Sequence, residues 1–306
     1  MGFVKDVQSL IGKTPMIELT HSVIPNQARI FAKLEFMNPG GSIKDRLGLK
    51  LIDDAETRGK LKPGGTIVEA TAGNTGIGVA LAAIGKGYRV VFVTPEKFSQ
   101  EKQTLMRALG AEVINTPTEK GMKGAIERAA EYCKEMPGTF SLEQFHNQAN
   151  PDTYYETLGP EIYADMDGDV DVFLAGAGTG GTFMGTARYL KEKNPSIKTS
   201  IVEPEGSVLN GGPSGPHKTE GIGMEFLPFY MDKKYFDAIH TITDEIAFQR
   251  VRELALTEGL LVASSSGAAF EAALREAEQS KPGTKIVTIF PDSSERYLSQ
   301  GIYDEE

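Results

Sequence analysis

Short apolar, β-rich runs alternate with amphipathic helical stretches along nearly the whole chain, and this alternation limits the fold more than any other feature. Thr66 to Glu69 reads as a strand and Ile77 to Ile84 as the helix after it. Arg89 to Val93 and Gln100 to Leu109 repeat the pair, and Glu112 to Ile114 leads into a helix through Ala125, Ala129 and Ala130. In the second half, Val170 to Leu174, Gly181 to Lys191 and Thr199 to Val202 continue the rhythm. A helix from Ala268 to Ala277 and a strand from Lys285 to Phe290 close it. Apolar strands separated by helices predict parallel sheets with helices wound on both faces. Two such runs flank a middle near Asn147 to Pro160 and predict two α/β domains. The breaker-rich Asn210 to His217 reads as a surface loop, because the α/β pattern resumes after it.

Composition removes several function classes. The 306 residues suit one large or two medium domains at roughly 100–200 residues each. Hydrophobic residues at 40% and charged residues at 24% describe an ordinary globular chain, too apolar for disorder. The net charge of −10, with no Lys/Arg block, argues against sequence-independent nucleic-acid binding. A single cysteine, Cys133, leaves no disulfide scaffold and no Cys-rich metal site, and on its helix it reads as a packed thiol. The four histidines, His21, His146, His217 and His240, show no metal-ligand spacing. No stretch approaches the ~20 apolar residues of a membrane helix, and the first residues show no signal-like core. A cytoplasmic protein is the expectation.

Four loops carry the chemistry. Thr71-Ala72-Gly73-Asn74-Thr75-Gly76 joins a strand to a helix, aiming backbone N–H groups and a helix N-terminus at one point, which suits a carboxylate or phosphate. A tight turn with Asn at positive φ would use the same residues. Gly176 to Thr182 repeats the placement, and Gly176, Gly178 and Gly181 satisfy G-x-G-x-x-G. Glu203 ends the next strand about where a ribose-binding acid belongs, so this segment reads either as a dinucleotide site or as a phosphate cup. In Asn38 to Arg46, Ser42 is a plausible N-cap and Lys44 falls in the first helical turn. A cation is misplaced at that dipole end, which favours the uncharged amine that Schiff-base chemistry uses, although a solvated lysine would look the same. Ser264-Ser265-Ser266 opens a helix after Leu260-Leu261-Val262, and either capping or a ligand explains the serines. Asp292 to Arg296 reads as a further capping arrangement.

Together, a phosphate cup, a carboxylate cup, a placed lysine and a serine-rich helix start are what pyridoxal 5′-phosphate chemistry requires. The motifs NPGGSIKDR, GNTG, GTGGT and SSGAA, in that order, resemble the fold-type II pyridoxal-phosphate enzymes, specifically the cysteine synthase and cystathionine β-synthase family. The resemblance runs from Leu10-Ile11-Gly12-Lys13-Thr14-Pro15 through the Ser265 segment. It implies a tryptophan-synthase-β-like α/β fold, two doubly wound α/β domains with the cofactor between them. Residues 1–44 plus 148–306 would form the larger, cofactor-anchoring domain, and 45–147 the smaller, mobile, substrate-binding one.

The resemblance also implies roles. Lys44 would carry the cofactor and move the α-proton. Asn74 would bind the cofactor's phenolic oxygen, Gly178, Thr179, Gly180, Gly181 and Thr182 its phosphate, and Ser265 its ring nitrogen. Thr71, Ala72, Gly73, Asn74 and Thr75, aided by Gln144, would hold the substrate α-carboxylate. A neutral serine cannot keep the ring nitrogen protonated as a carboxylate would, so prompt loss of a β-leaving group is favoured over transamination. The implied activity is β-replacement on O-acetyl-L-serine, or serine, by homocysteine to give L-cystathionine. Sulfide, giving cysteine, is the alternative acceptor.

Ala72 departs from the hydroxyl residue usual in cysteine synthases, leaving only its N–H for a carboxylate. The segment Glu220-Gly221-Ile222-Gly223-Met224-Glu225-Phe226 looks more like cystathionine β-synthases, where Glu220 would meet the ammonium of an amino-acid thiol. A surface glutamate before a turn is the competing reading. With no haem-binding extension or regulatory module, the chain resembles the short bacterial members that use O-acetylserine, and a homodimer is implied. A NAD-dependent oxidoreductase, resting on Gly176, Gly178, Gly181 and Glu203, is the reading from another class.

Overall fold

The computed structural model of the chain describes residues 3–71 and 73–304. Strands β1 (Met16–Glu18), β2 (Arg29–Leu34), β3 (Thr66–Ala70), β4 (Arg89–Pro95) and β5 (Glu112–Thr116) are followed by β6 (Thr139–Ser141), β7 (Val172–Gly176), β8 (Lys198–Pro204), β9 (Ala238–Ile242) and β10 (Lys285–Phe290). The helices are α1 (Lys44–Thr57), α2 (Asn74–Ala83), α3 (Gln100–Ala108), α4 (Gly121–Glu135), α5 (Ala149–Glu156), α6 (Leu158–Asp165), α7 (Gly181–Lys193), α8 (Asp244–Glu258) and α9 (Ser264–Glu278). No described helix is long and apolar enough to cross a membrane. Every expected strand and helix forms. β1, β2, β6, β9, α5, α6 and α8 were not expected.

Residues 12–37 and those from Pro151 onward make the larger unit. Its sheet runs β1-β2-β10-β7-β8-β9, parallel except where β1 pairs with β2. Side chains alternate across a strand, and β7 uses both directions. Val172 and Leu174 join the core under α9, whereas Phe173 stacks on Phe183 of α7 at 6.2 Å. Both faces are therefore covered, as a parallel sheet requires. At the sheet's edge, Glu276 of α9 accepts hydrogen bonds from His240 (2.8 Å), Lys198 (2.6 Å) and Ser200 (2.6 Å). Burial works to raise its pKa, but these three partners win and hold it down to about 2.

The smaller unit comprises the chain up to Ile11 and Asn38–Asn150. Its all-parallel sheet runs β5-β4-β3-β6. Val68, Ala70, Val91 and Val93 pack on Ala125, Ala129 and Tyr132 of α4, and the intervening Ile67, Val90 and Phe92 are buried on the opposite face. Boundaries differ from the expected ones at three segments, because the chain up to Ile11, residues 38–44 and residues 148–150 group with this unit. For the first two the reason is direct contact. Gln8 donates to the carbonyls of Leu81 and Ile84 at 3.1 and 3.2 Å, and Gly78 of α2 lies against the carbonyl of Lys44.

That last contact belongs to a backbone-to-backbone crossing of α1 and α2. A methyl group on Gly48 would overlap the carbonyl of Gly78, and one on Gly78 would overlap that of Lys44. Backbone atoms cannot step aside, so Gly78→Ala should destabilise by about 1–3 kcal/mol despite alanine's better helix propensity. Urea midpoints of the two proteins measure this. Glu276 gives a second test. Its folded pKa lies below the 4.5 of an exposed carboxyl, so its stabilisation is present above that value and lost as pH falls toward about 2. Glu276→Gln should flatten the fall in melting temperature over that interval.

Candidate active site

In the smaller unit the site begins with the turn before α1. The Asn38 carbonyl accepts the Gly41 N–H at 2.8 Å, and Gly41 takes φ +76, open to glycine at no steric cost. The N-cap position of α1 falls to Ile43, without a side-chain cap, and not to the expected Ser42, one residue earlier. Ser42 Oγ nevertheless accepts the N–H of Lys44 at 3.2 Å, and Asp45 accepts the Gly40 N–H. Lys44 is the first residue of α1 and is half-buried.

The GNTG loop opens α2 at Asn74. Gly73 precedes it at φ +125. Thr71 Oγ1 accepts the N–H groups of Gly73 (3.0 Å) and Gly76 (3.2 Å), so this hydroxyl shapes the loop. Thr75 donates to Gln144 Oε1 at 2.8 Å, and Gln144 Nε2 donates to the Ala70 carbonyl at 2.9 Å. The Gln144 side chain thus grips both sides of the loop. Ala72, an expected carboxylate contact through its N–H, lies outside the described residues.

Two residues here were not anticipated. Lys102 of α3 is buried and its aliphatic stem lies across Gly73, bringing a cationic side chain to the loop. Glu69, at the end of β3, is also buried and accepts the N–H groups of Glu143 and Gln144. An acid inside an otherwise apolar strand was the only available signal for it.

In the larger unit, Gly178 to Thr182 forms the second cup. Gly180 is left-handed at φ +82 and caps α7, which starts at Gly181. The neighbouring segment presses close. Gly223 donates to the Ala177 carbonyl at 2.8 Å, and a methyl on Gly178 would overlap the Gly221 carbonyl. Tyr230 steadies the cup by donating to the Thr179 carbonyl at 3.0 Å. Such an array of amides at the start of a 13-residue helix has the geometry and dipole that suit an anion.

Ser265 lies in the first turn of α9. No serine side chain caps that helix, which removes the capping explanation. The Ser265 hydroxyl is 1% exposed and has no hydrogen-bond partner in the protein. A methyl built on Gly221 would lie 4.0 Å from it. Buried hydroxyls are nearly always bonded, so this one has a donor and acceptor to offer a ligand. The Asp292 segment likewise does not cap. Its carboxylate accepts the buried Tyr297 hydroxyl, whose pKa is raised by burial first and then by Asp292. Glu220 is half-buried and accepts from Gln300 Nε2 at 2.6 Å. Gln300 was not singled out in the sequence.

Glu203 does not serve a ribose. Its carboxylate is fully buried and accepts the N–H groups of Leu209 (2.9 Å) and Asn210 (3.1 Å) and the Thr241 hydroxyl (3.0 Å). With both oxygens held inside, the dinucleotide reading loses the residue that distinguished it. Cys133 matches the packed thiol, half-buried on α4 with its pKa pushed up by burial.

A fold of two parallel-stranded α/β units, an anion cup and a buried unpartnered hydroxyl fit pyridoxal phosphate, and they define the class. Residues 7–292 match the model of the pyridoxal-phosphate dependent enzyme family, and the chain belongs to that family. It is 58% identical over 304 residues, 99% of each chain, to the O-acetylserine dependent cystathionine β-synthase of Bacillus subtilis. It is 52% identical to a cysteine synthase of Helicobacter pylori, over 99% of this chain and 100% of that one. The crystal structure of the O-acetylserine dependent cystathionine β-synthase from Helicobacter pylori superposes with a TM-score of 0.96 at 52% identity, covering 99% of this chain and 100% of that one.

The cup can be tested separately from turnover. Gly178→Ala should fold but lose cofactor, because its methyl must displace the Gly221 backbone. Cofactor absorbance per chain after gel filtration should fall at least about tenfold in apparent affinity, the cost of roughly one lost anion hydrogen bond.

Proposed function

We propose that the chain catalyses β-replacement on O-acetyl-L-serine, with homocysteine as the sulfur acceptor and L-cystathionine and acetate as products. The observation that carries the reaction class is the buried, neutral Ser265 hydroxyl beside Gly221. A serine offers a hydrogen bond but no negative charge to a ring nitrogen, which favours expulsion of a β-leaving group over amino-group transfer. When bound, pyridoxal phosphate supplies the electron sink that makes the α-proton of an amino acid removable.

The chain's own residues do the rest. Gly178, Thr179, Gly180, Gly181 and Thr182 hold the phosphate through backbone amides and hydroxyls. Asn74 donates its amide to the phenolic oxygen. Lys44 carries the cofactor, takes the α-proton and returns it. Backbone N–H groups between Thr71 and Thr75 receive the substrate carboxylate at the positive end of α2, on a loop that Gln144 braces. Acetate leaves Cβ with little proton assistance, and a thiol sulfur forms the new Cβ–S bond. We read the enzyme as a homodimer acting in the cytoplasm.

Acceptor choice rests on Glu220. An amino-acid thiol brings an ammonium group that sulfide lacks, and a half-buried carboxylate is the natural partner for it. The 58% identity to the Bacillus subtilis protein supports the same acceptor. Sulfide, giving cysteine, is the second reading, favoured by the similarity to the Helicobacter pylori cysteine synthase.

The test offers O-acetylserine, homocysteine and sulfide together to the holoenzyme and quantifies products by mass spectrometry. Cystathionine should dominate. A cysteine majority overturns the acceptor, and no product overturns β-replacement. Glu220→Gln should raise the KM for homocysteine about tenfold or more while leaving sulfide use unchanged, the loss expected for one charge-assisted hydrogen bond.

A further inference from the structure

A buried acid lies directly beneath the loop read above as the carboxylate site. Glu69 is 2% exposed at the end of β3. Its two oxygens accept the backbone N–H groups of Glu143 at 2.9 Å and Gln144 at 3.1 Å, just past the end of β6. Glu143 takes a left-handed conformation at φ +54, which a side chain this long rarely adopts, so the turn is held by its surroundings. The same turn delivers the Gln144 side chain to Ala70, just before the loop, and to Thr75, within the GNTG segment. Asn150 Nδ2 holds the Gln144 carbonyl at 2.8 Å and completes the brace.

We propose that Glu69 is a positioning residue for the amino-acid substrate, its ionised carboxylate fixing the 143–144 turn so that Gln144 holds the GNTG loop in its carboxylate-binding shape. This rests on the function proposed above. Only an ionised carboxylate offers acceptors alone to the N–H groups around it. A protonated acid turns one oxygen into a donor facing a donor.

Burial pushes the Glu69 carboxyl up to about 7 against the pull of the amides of Gln144 and Glu143. The titratable groups that act on it or feel its charge are Glu143 on the turn, which raises it further, and the Cys133 thiol of α4. The brace therefore changes state near neutrality, tight above about pH 7 and loosened below it.

Glu69→Gln imitates the protonated form at every pH. Holoenzymes of both forms are compared for cofactor content, for the KM and kcat of O-acetylserine between pH 6 and 8, and for amide exchange at 142–147. We expect equal cofactor content, kcat within about twofold, and faster exchange at 143 and 144 in the variant. The ratio of variant to wild-type KM, in which titration of the substrate amine cancels, should rise from near 1 at pH 6 to about tenfold at pH 8. A flat ratio, or equal exchange in the two proteins, overturns the proposal. If cofactor is lost, exchange at 142–147 in wild type alone is followed from pH 6 to 8 after correction for intrinsic rates. Protection that does not rise through pH 7 overturns the proposal as well. A wild-type protein whose cofactor absorbance fails to respond to O-acetylserine overturns the parent function and this inference with it, whereas a responding wild type with a flat ratio overturns this inference alone.

Discussion

In the smaller unit α1 and α2 come into backbone-to-backbone contact at two glycines, and the placement of both helix starts depends on it. Gly48 and Gly78 remove the side chains that would hold the helices apart, and Gly78 sits one turn into α2 against the carbonyl of Lys44. The starts of both helices therefore meet. In the function proposed above, Lys44, Asn74 and the loop amides serve one ligand, and the two glycines are what permit the helix starts to approach. Packed helix axes ordinarily stand 8–10 Å apart, and side chains at the contact set that distance. A lysine and an anion-binding loop separated by a normal interhelical layer could not act on one small molecule.

The larger unit solves a different problem with similar means. Its glycines let Gly221 and Gly178 approach until no side chain fits, and this closes the cup around Thr179 and Gly180. In the function proposed above, the cup would hold the phosphate with amides, whereas Ser265 would offer the ring nitrogen a neutral hydroxyl. Fixed dipoles suit an anion, and a partner without charge at the ring favours expulsion of a leaving group over amino-group transfer.

The sheets and the loops were legible in the sequence to different degrees, for physical reasons. Buried parallel strands such as Val172–Gly176 read clearly because both faces demand apolar residues. β2 did not, since Arg29 and Lys33 interrupt it. Lys33 is nonetheless buried, its ammonium satisfied by the Thr14 carbonyl and by Asp165, 132 positions away. Motif residues such as Lys44 and Gly178 were visible because local geometry dictates them. The brace was not, because its partners lie 74 and 75 positions apart. Glu203 misled for the same reason, as spacing along the chain resembles a ribose acid while the fold spends its oxygens on Leu209 and Asn210.

Glu69 and Glu203 show one device used twice, a buried carboxylate that ties an irregular segment to a strand end by accepting its N–H groups. A regular ladder cannot satisfy those donors where the chain turns away from the sheet. The device carries a stability consequence that can be signed for Glu69. Its folded pKa lies above that of an exposed carboxyl, so the proton it binds favours the folded chain below about 4.5. That advantage disappears as pH rises through about 7, and Glu276 runs the other way. The ionised state of Glu69 is therefore the stronger anchor for the loop and the less favourable state for the fold. A group that only stabilised the turn would be better served by an amide or hydroxyl that carries no charge. Retaining an acid at this position makes sense where the shape of the neighbouring loop matters more than the last increment of stability, as at a substrate-binding site.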